Sequence, residues 1–96
     1  MSSRLVFLKE NSEAIKAIAA RHKGLKIAVF GSVARGDDGP DSDVDFLVTF
    51  DKEASLLDLI GLQDSLKEFL NIPVDVISIG GLKPRDHQIR EEALAL

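Results

Sequence analysis

Two aspartates, Asp43 and Asp45, stand two residues apart at the start of a segment in which apolar and polar residues alternate. In a β-strand, residues i and i+2 share a face, so the two carboxylates lie within a few ångströms of each other. Like charges at that separation repel unless a cation lies between them. Mg²⁺ suits such a position, because it prefers oxygen ligands and typically binds one or two carboxylates together with substrate phosphates. The pair therefore predicts a metal site.

A third aspartate, Asp75, lies in the otherwise apolar segment 72–77. An unpaired buried carboxylate is costly, so Asp75 requires a partner. If a neighbouring strand places it beside Asp43 and Asp45, the three carboxylates form a cluster able to hold two metal ions. The alternative is a structural ion pair with Lys26 or Arg35.

A Gly-Ser step, Gly31-Ser32, follows an apolar strand and precedes the aspartate pair by ten intervening residues. Glycine at such a junction lets the backbone approach a ligand, and successive N–H groups there can bind an anion. The Ser32 hydroxyl can donate to a phosphate oxygen. Alternatively, Gly31 is only a turn residue, Ser32 is a helix cap, and Asp43 is a cap or a partner of Arg35. Arg35 itself fits either a structural pairing with the run of acidic residues between Asp37 and Glu53 or a phosphate contact.

The elements that must position these residues follow from hydrophobic periodicity. A helix over residues 4–22 is predicted to bend at Asn11-Ser12 and to end at Lys23-Gly24, with Gly24 as a left-handed cap. The order helix, strand, strand, helix, strand, helix predicts an α/β (α+β) fold with a small mixed sheet of three to four strands flanked by helices. The strands are expected at 26–30, 43–50 and 74–79, one helical turn at 33–35, and further helices at 55–70, capped by Ser55, and at 84–94.

Composition limits the range of functions. The 96 residues (1–96) fit one domain, and the lack of cysteine excludes a disulfide scaffold and a thiolate site. The formal charge is −4, and the sequence has no strong cluster of Lys and Arg such as proteins use to bind nucleic-acid phosphates. No direct nucleic-acid binding is therefore expected. No apolar run reaches membrane-span length and the N-terminus has no signal-peptide pattern, so we expect a cytoplasmic protein with no membrane contact.

These motifs resemble a known family. The segments Phe30 to Gly36 (FGSVARG) and Ser42 to Val48 (SDVDFLV) are similar to the signature of the DNA polymerase β-like nucleotidyltransferases, in which Gly-Ser is followed after ten residues by Asp-x-Asp. The length and the C-terminal segment from Leu82 resemble the minimal nucleotidyltransferase (MNT) branch. Proteins of that branch are commonly the antitoxins of HEPN/MNT toxin–antitoxin pairs. The resemblance covers essentially the whole chain and implies the nucleotidyltransferase fold.

The resemblance also implies roles for individual residues. Gly31 and Ser32 would bind the β- and γ-phosphates of ATP. Beside them, Arg35 is a candidate nucleotide ligand on the strength of its position alone. Asp43 and Asp45 would coordinate Mg²⁺, and Asp75 would share a metal and help deprotonate the attacking hydroxyl. Two metal ions would steady the entering and departing oxygens during attack on the α-phosphorus.

Active members of this branch transfer AMP from ATP to a tyrosine of the cognate HEPN toxin. These 96 residues do not include the helical substrate domain of larger relatives, such as aminoglycoside nucleotidyltransferases, so we expect a protein acceptor rather than a small molecule. The sequence thus predicts an Mg²⁺-dependent protein adenylyltransferase that acts as an antitoxin. The alternative is a non-catalytic antitoxin that neutralises its toxin by binding alone.

Overall fold

A computed structural model describes residues 3–36, 43–79 and 93–96, which build a mixed sheet flanked by helices. The strand order is β3-β2-β1-β4, with β1 antiparallel to both β2 and β4, and β2 parallel to β3. This architecture confirms the predicted fold class. The elements are α1 (Ser3–Glu10), α2 (Ser12–Arg21), β1 (Gly24–Phe30), α3 (Ser32–Arg35), β2 (Val44–Phe50), α4 (Leu56–Leu70), β3 (Val74–Ser78) and β4 (Leu94–Ala95).

The C-terminal prediction is corrected in part. Residues 84–92 of the predicted helix lie outside the described residues, but Leu94, its expected last residue, belongs to β4. There Leu94 pairs with Val29 and Ala95 with Ala28, so the chain adds an edge strand to the sheet. Alternating Ala and Leu is compatible with either helix or strand, and pairing with β1 decides between them. Within the described residues, no helix is long and apolar enough to span a membrane.

The predicted bend in the N-terminal helix is confirmed at Asn11, which separates α1 from α2. The Asn11 side-chain amide donates to the Phe7 carbonyl at 2.8 Å, one helical turn earlier. An asparagine side chain that bonds to the backbone in this way competes with the regular helical pattern. The break allows both helices to pack on the core, which includes Leu8 of α1 and Ile15 of α2.

The core lies on one face of the sheet. Val44, Phe46 and Val48 of β2 have no exposed surface and join a single apolar cluster with residues of α1, α2 and α4. Each such side chain contributes about 1.5–3 kcal/mol by leaving water. Because successive strand residues point to opposite faces, Asp45 and Leu47 lie on the other face of β2. Burial of Val44, Phe46 and Val48 on the core face therefore places the Asp45 side chain on the opposite face.

Helix α4 begins and ends as its sequence predicts. Ser55 is the N-cap, and its backbone N–H donates to the Asp58 carboxylate at 2.8 Å. Asn71 adopts the left-handed conformation at the C-terminus, with φ of 57°. The Gln63 side chain accepts the Val76 N–H at 3.0 Å and so ties α4 to β3, the strand that carries Asp75.

The turn between α2 and β1 differs from the prediction. Lys23, not Gly24, takes the left-handed conformation, with φ of 65°. Gly24 is instead the first residue of β1, where a Cβ atom would lie 3.0 Å from the Ala19 carbonyl oxygen. Close packing of β1 on α2 therefore explains the glycine, and Lys23 bears the conformational strain.

Two substitutions in this turn have opposite expected effects. Lys23→Gly should stabilise the protein by up to about 1 kcal/mol, because glycine adopts positive φ without the steric cost of a side chain. The Lys23–Asp58 ion pair that it removes is long, at 3.9 Å, and half-exposed, so its loss offsets little of the gain. Gly24→Ala should destabilise by about 1–3 kcal/mol, because the new methyl group meets backbone. Urea unfolding measures both values, and a destabilised Lys23→Gly variant would contradict this account.

Candidate active site

Three strand ends meet at one edge of the sheet. In the parallel pair of β2 and β3, Asp45 lies opposite Asp75, and in the antiparallel pair of β1 and β2, Asp45 lies opposite Phe30. Gly31 directly follows Phe30, so the Gly-Ser step and the carboxylates of two strands lie side by side. Asp43 directly precedes β2 at the same edge and is exposed. The pairing thus brings together the segments that the sequence singles out.

Gly31 approaches the Asp45 carboxylate closely. A Cβ atom at position 31 would lie 2.6 Å from Oδ2 of Asp45, so the carboxylate would have to rotate away. The Gly31 backbone also has φ of 75° and ψ of −150°, a region essentially restricted to glycine. The backbone conformation therefore requires glycine, and the missing side chain lets the backbone lie against the central carboxylate.

The short helix α3 carries the other two candidate residues. Gly31 occupies the N-cap position and Ser32 is the first helical residue, so the alternative that Ser32 caps the helix is wrong. Arg35 is the last residue of α3 and is exposed. Its positive charge lowers the pKa of the Asp45 carboxyl and opposes the causes that raise it. The predicted roles of Ser32 and Arg35 toward phosphate stay predictions.

One alternative for Asp75 is wrong. Lys26 pairs with Thr49 in the sheet, four residues along β2 from Asp45, the partner of Asp75. Four strand residues span roughly 13 Å, and β1 is not adjacent to β3 in the sheet. Lys26 is thus too far away to neutralise Asp75. The expectation that Asp75 is buried is also wrong: it is exposed, so burial does not force it to take a partner, and its neighbour across the sheet is another aspartate.

The electrostatics of this edge centre on Asp45. Burial raises the pKa of the Asp45 carboxyl, and the negative charges of Asp75 and Asp43 raise it further, in that order of importance. Arg35 opposes these effects only in part. Among the described residues, the charges that act on this half-buried carboxylate are therefore mainly negative. A bound cation would relieve this repulsion.

The fit to a metal ion depends on the donor set. Within the segments that the structure describes, no three His, Cys, Asp or Glu side chains converge into a set that could hold a metal by itself. Mg²⁺ seldom needs such a set, because it commonly uses one or two carboxylates and takes its other ligands from phosphates and water. The oxygen donors of Asp43, Asp45 and Asp75 fit an ion that arrives with a nucleotide. The assignment of all three as ligands stays a prediction.

Comparison with known proteins finds one domain family and relatives with similar sequences. A family model described as nucleotidyltransferase domain matches residues 11–95. Protein adenylyltransferase MntA of Thermococcus cleftensis is 40% identical over 79 residues, covering 74% of this chain and 80% of that protein. A candidate protein adenylyltransferase of Methanocaldococcus jannaschii is 36% identical over 77 residues, covering 80% of this chain and 83% of that protein.

Solved structures share the fold. A candidate minimal nucleotidyltransferase superposes with a TM-score of 0.85 at 41% identity, covering all of this chain and 97% of its own. A toxin–antitoxin structure with AMP-PNP superposes with a TM-score of 0.75 at 20% identity, covering 88% of this chain and 71% of its own. At that identity, the second likeness is evidence for the fold alone.

The raised pKa of Asp45 predicts how stability depends on pH. A carboxyl whose pKa is higher in the folded than in the unfolded state destabilises the fold at neutral pH. As the pH falls, the folded state takes up this proton first and the cost is relieved. Asp45→Asn should therefore raise the free energy of unfolding at pH 7. The gain should shrink as the pH falls through the folded-state pKa and vanish below the unfolded value of 3.8.

Denaturant unfolding of wild-type and variant protein between pH 3 and 8 (about 0.5 pH apart) gives this difference directly. Asp64→Asn, at an exposed position on α4, is the control and should change stability little at any pH. A gain for Asp45→Asn that stays constant across the range would contradict the electrostatic explanation.

Proposed function

We propose that this chain, which belongs to the nucleotidyltransferase domain family, transfers AMP from ATP to a hydroxyl group of a partner protein and thereby acts as the antitoxin of a toxin–antitoxin pair. The observation that carries this proposal is the edge where Gly31, Asp45 and Asp75 lie side by side. Support for the protein acceptor comes from relatives named protein adenylyltransferases. Support for the antitoxin role comes from toxin–antitoxin structures with the same fold.

The proposed reaction forms one bond and breaks one. The acceptor oxygen attacks the α-phosphorus of ATP, the bond between the α-phosphorus and the bridging oxygen breaks, and pyrophosphate leaves in line. The proton of the acceptor hydroxyl passes to Asp75, whose exposed position allows a docked protein to reach it. Asp75 lies at the start of β3, so its backbone is held by pairing with β2 while its carboxylate faces solvent.

The other site residues would bind and orient the nucleotide. The backbone N–H groups at Gly31 and Ser32 are suited to the β- and γ-phosphates, because glycine at position 31 leaves room for close approach. Arg35 would add positive charge beside the triphosphate. Asp43 and Asp45 would hold the Mg²⁺ that accompanies ATP, and this ion would neutralise negative charge on the phosphates.

We further infer that the partner is a HEPN-type toxin and that the accepting hydroxyl belongs to a tyrosine. This chain contains no tyrosine, so the accepting tyrosine must belong to another molecule. The toxin would dock over Gly31, Ser32 and Asp75 and bring its own hydroxyl to the α-phosphate. The second candidate, inhibition by contact alone, needs no carboxylates and gains nothing from the repulsion that raises the pKa of Asp45.

Metal and nucleotide should bind together. Mg²⁺ with ATP should raise the melting temperature more than ATP with a chelator, because the ion relieves repulsion among the carboxylates. Asp45→Asn should reduce this additional shift by at least about half, since it removes the central charge. Asp64→Asn, on exposed α4 surface, should leave the shift unchanged. If Asp45→Asn retains the full shift, the metal assignment is wrong.

Transfer to the partner should depend on the carboxylates. Co-expression with the cognate toxin should add one AMP, detected by mass spectrometry, to a toxin tyrosine. Asp43→Ala should abolish the added mass, and Asp75→Asn should keep nucleotide affinity but slow transfer by about 10²–10⁴-fold, the typical contribution of a general base. Circular dichroism checks that both variants fold. If the toxin stays unmodified while wild-type and Asp43→Ala chains protect cells equally, inhibition by contact is correct.

A further inference from the structure

The N-terminal half of α4 exposes an unusual amount of apolar surface. Leu57 is 78% exposed, Leu56 is 71% exposed and Ile60 is 46% exposed. Residues three or four apart on a helix are neighbours, so these side chains form one continuous surface. Beside them lies a groove of about 290 Å³ lined by Phe50, Ala54, Ser55, Leu56, Leu59 and Ser78. Contiguous exposed apolar surface next to a groove is typical of a docking site.

This surface, which we call the α4 patch (Leu56, Leu57, Ile60 and the adjoining groove), is separate from the candidate active site. Asp45 lies at the beginning of β2 and Phe50 at its end, five residues or roughly 17 Å away. The patch belongs to α4, which packs on the core face of the sheet, whereas Asp45 lies on the other face. A molecule seated on the patch therefore does not occupy the carboxylate edge.

The border of the α4 patch is acidic. Between Asp51 and Glu68 the chain carries five acidic residues and two lysines, and Lys23 pairs with one of the five, Asp58. Leu57, Ile60, Asp64 and Glu68 follow one another along a single stripe of the helix, so apolar surface passes directly into acidic surface. All four are exposed. A complementary partner therefore has apolar residues next to basic ones.

We propose that the α4 patch binds a basic amphipathic helix of a partner protein, with the apolar side of that helix over Leu57 and Ile60 and its lysines or arginines opposite Asp64 and Glu68. Helices commonly bind to apolar grooves in this way, with anchors spaced i, i+3, i+4 and i+7. A second copy of this chain is a poor match, because it would bring an equally acidic border against Asp64 and Glu68. The proposal does not rest on the proposed catalytic activity.

Two helical peptides of about five turns test the chemistry of the patch. One has leucines at i, i+3, i+4 and i+7 with lysines elsewhere, and the other has glutamate in place of every lysine. At about 0.15 M salt, fluorescence anisotropy should show that the lysine peptide binds more tightly, by roughly tenfold or more. Amide chemical shifts should change mainly over Ser55–Asp64.

Matched variants separate patch binding from attraction to an acidic protein. Leu57→Glu should weaken binding of the lysine peptide by roughly tenfold or more, although the added negative charge alone would strengthen it. Leu25→Glu adds the same charge at a leucine that is 64% exposed on β1 and should not weaken binding. Asp64→Lys should weaken the lysine peptide and favour the glutamate peptide.

Several results would overturn the proposal. Equal binding of the two peptides, or equal weakening by Leu57→Glu and Leu25→Glu, would show that the patch does not select a basic helix. Sedimentation of the wild-type chain as a dimer that Leu57→Glu dissociates would assign the patch to a second copy. A melting temperature lowered by several degrees in Leu57→Glu would mean that the chain itself covers the patch.

Discussion

Repulsion between carboxylates held at neighbouring strand positions is the constraint on which the candidate site depends. The pairing of β2 with β3 places Asp45 beside Asp75, and neither backbone position can move away without breaking the sheet. Burial of Asp45 and the charges of Asp75 and Asp43 raise its pKa, while Arg35 compensates only in part. The fully buried side chains of Val44, Phe46 and Val48 on the opposite face stabilise this arrangement. This concentration of negative charge is the reason for proposing that a cation and its phosphate ligands bind here.

Much of this edge could be predicted from the sequence. The i, i+2 spacing of Asp43 and Asp45 gives a shared face, and the apolar surroundings of Asp75 place it in a strand. The register that sets Asp75 beside Asp45 is not readable from one chain, since it results from parallel pairing across α4. The contact between Gly31 and the Asp45 carboxylate was also not predictable, although the glycine itself was a signal of close approach.

The differences from the prediction have a common physical origin in packing between elements. Lys23 adopts the left-handed conformation because Gly24 is needed where β1 passes close to Ala19. Leu94 joins a strand because β1 has an edge available for pairing. The preference of an individual residue for helix, strand or turn is weak compared with such contacts. On its inner side, helix α4 bonds to β3 through Gln63 and Val76. On its outer side, the same helix exposes the apolar side chains of the α4 patch.

The most direct test of the central claim is to locate the metal in solution. Mn²⁺ suits the same oxygen ligands as Mg²⁺ and broadens amide signals near its binding site. With a non-hydrolysable ATP analogue and substoichiometric Mn²⁺, a ¹H–¹⁵N spectrum should lose intensity around Gly31, Asp45 and Asp75. The acidic residues Asp64 and Glu68 of α4 serve as an internal reference and should keep their intensity. Broadening centred on α4, or spread evenly over the acidic surface, would contradict the account.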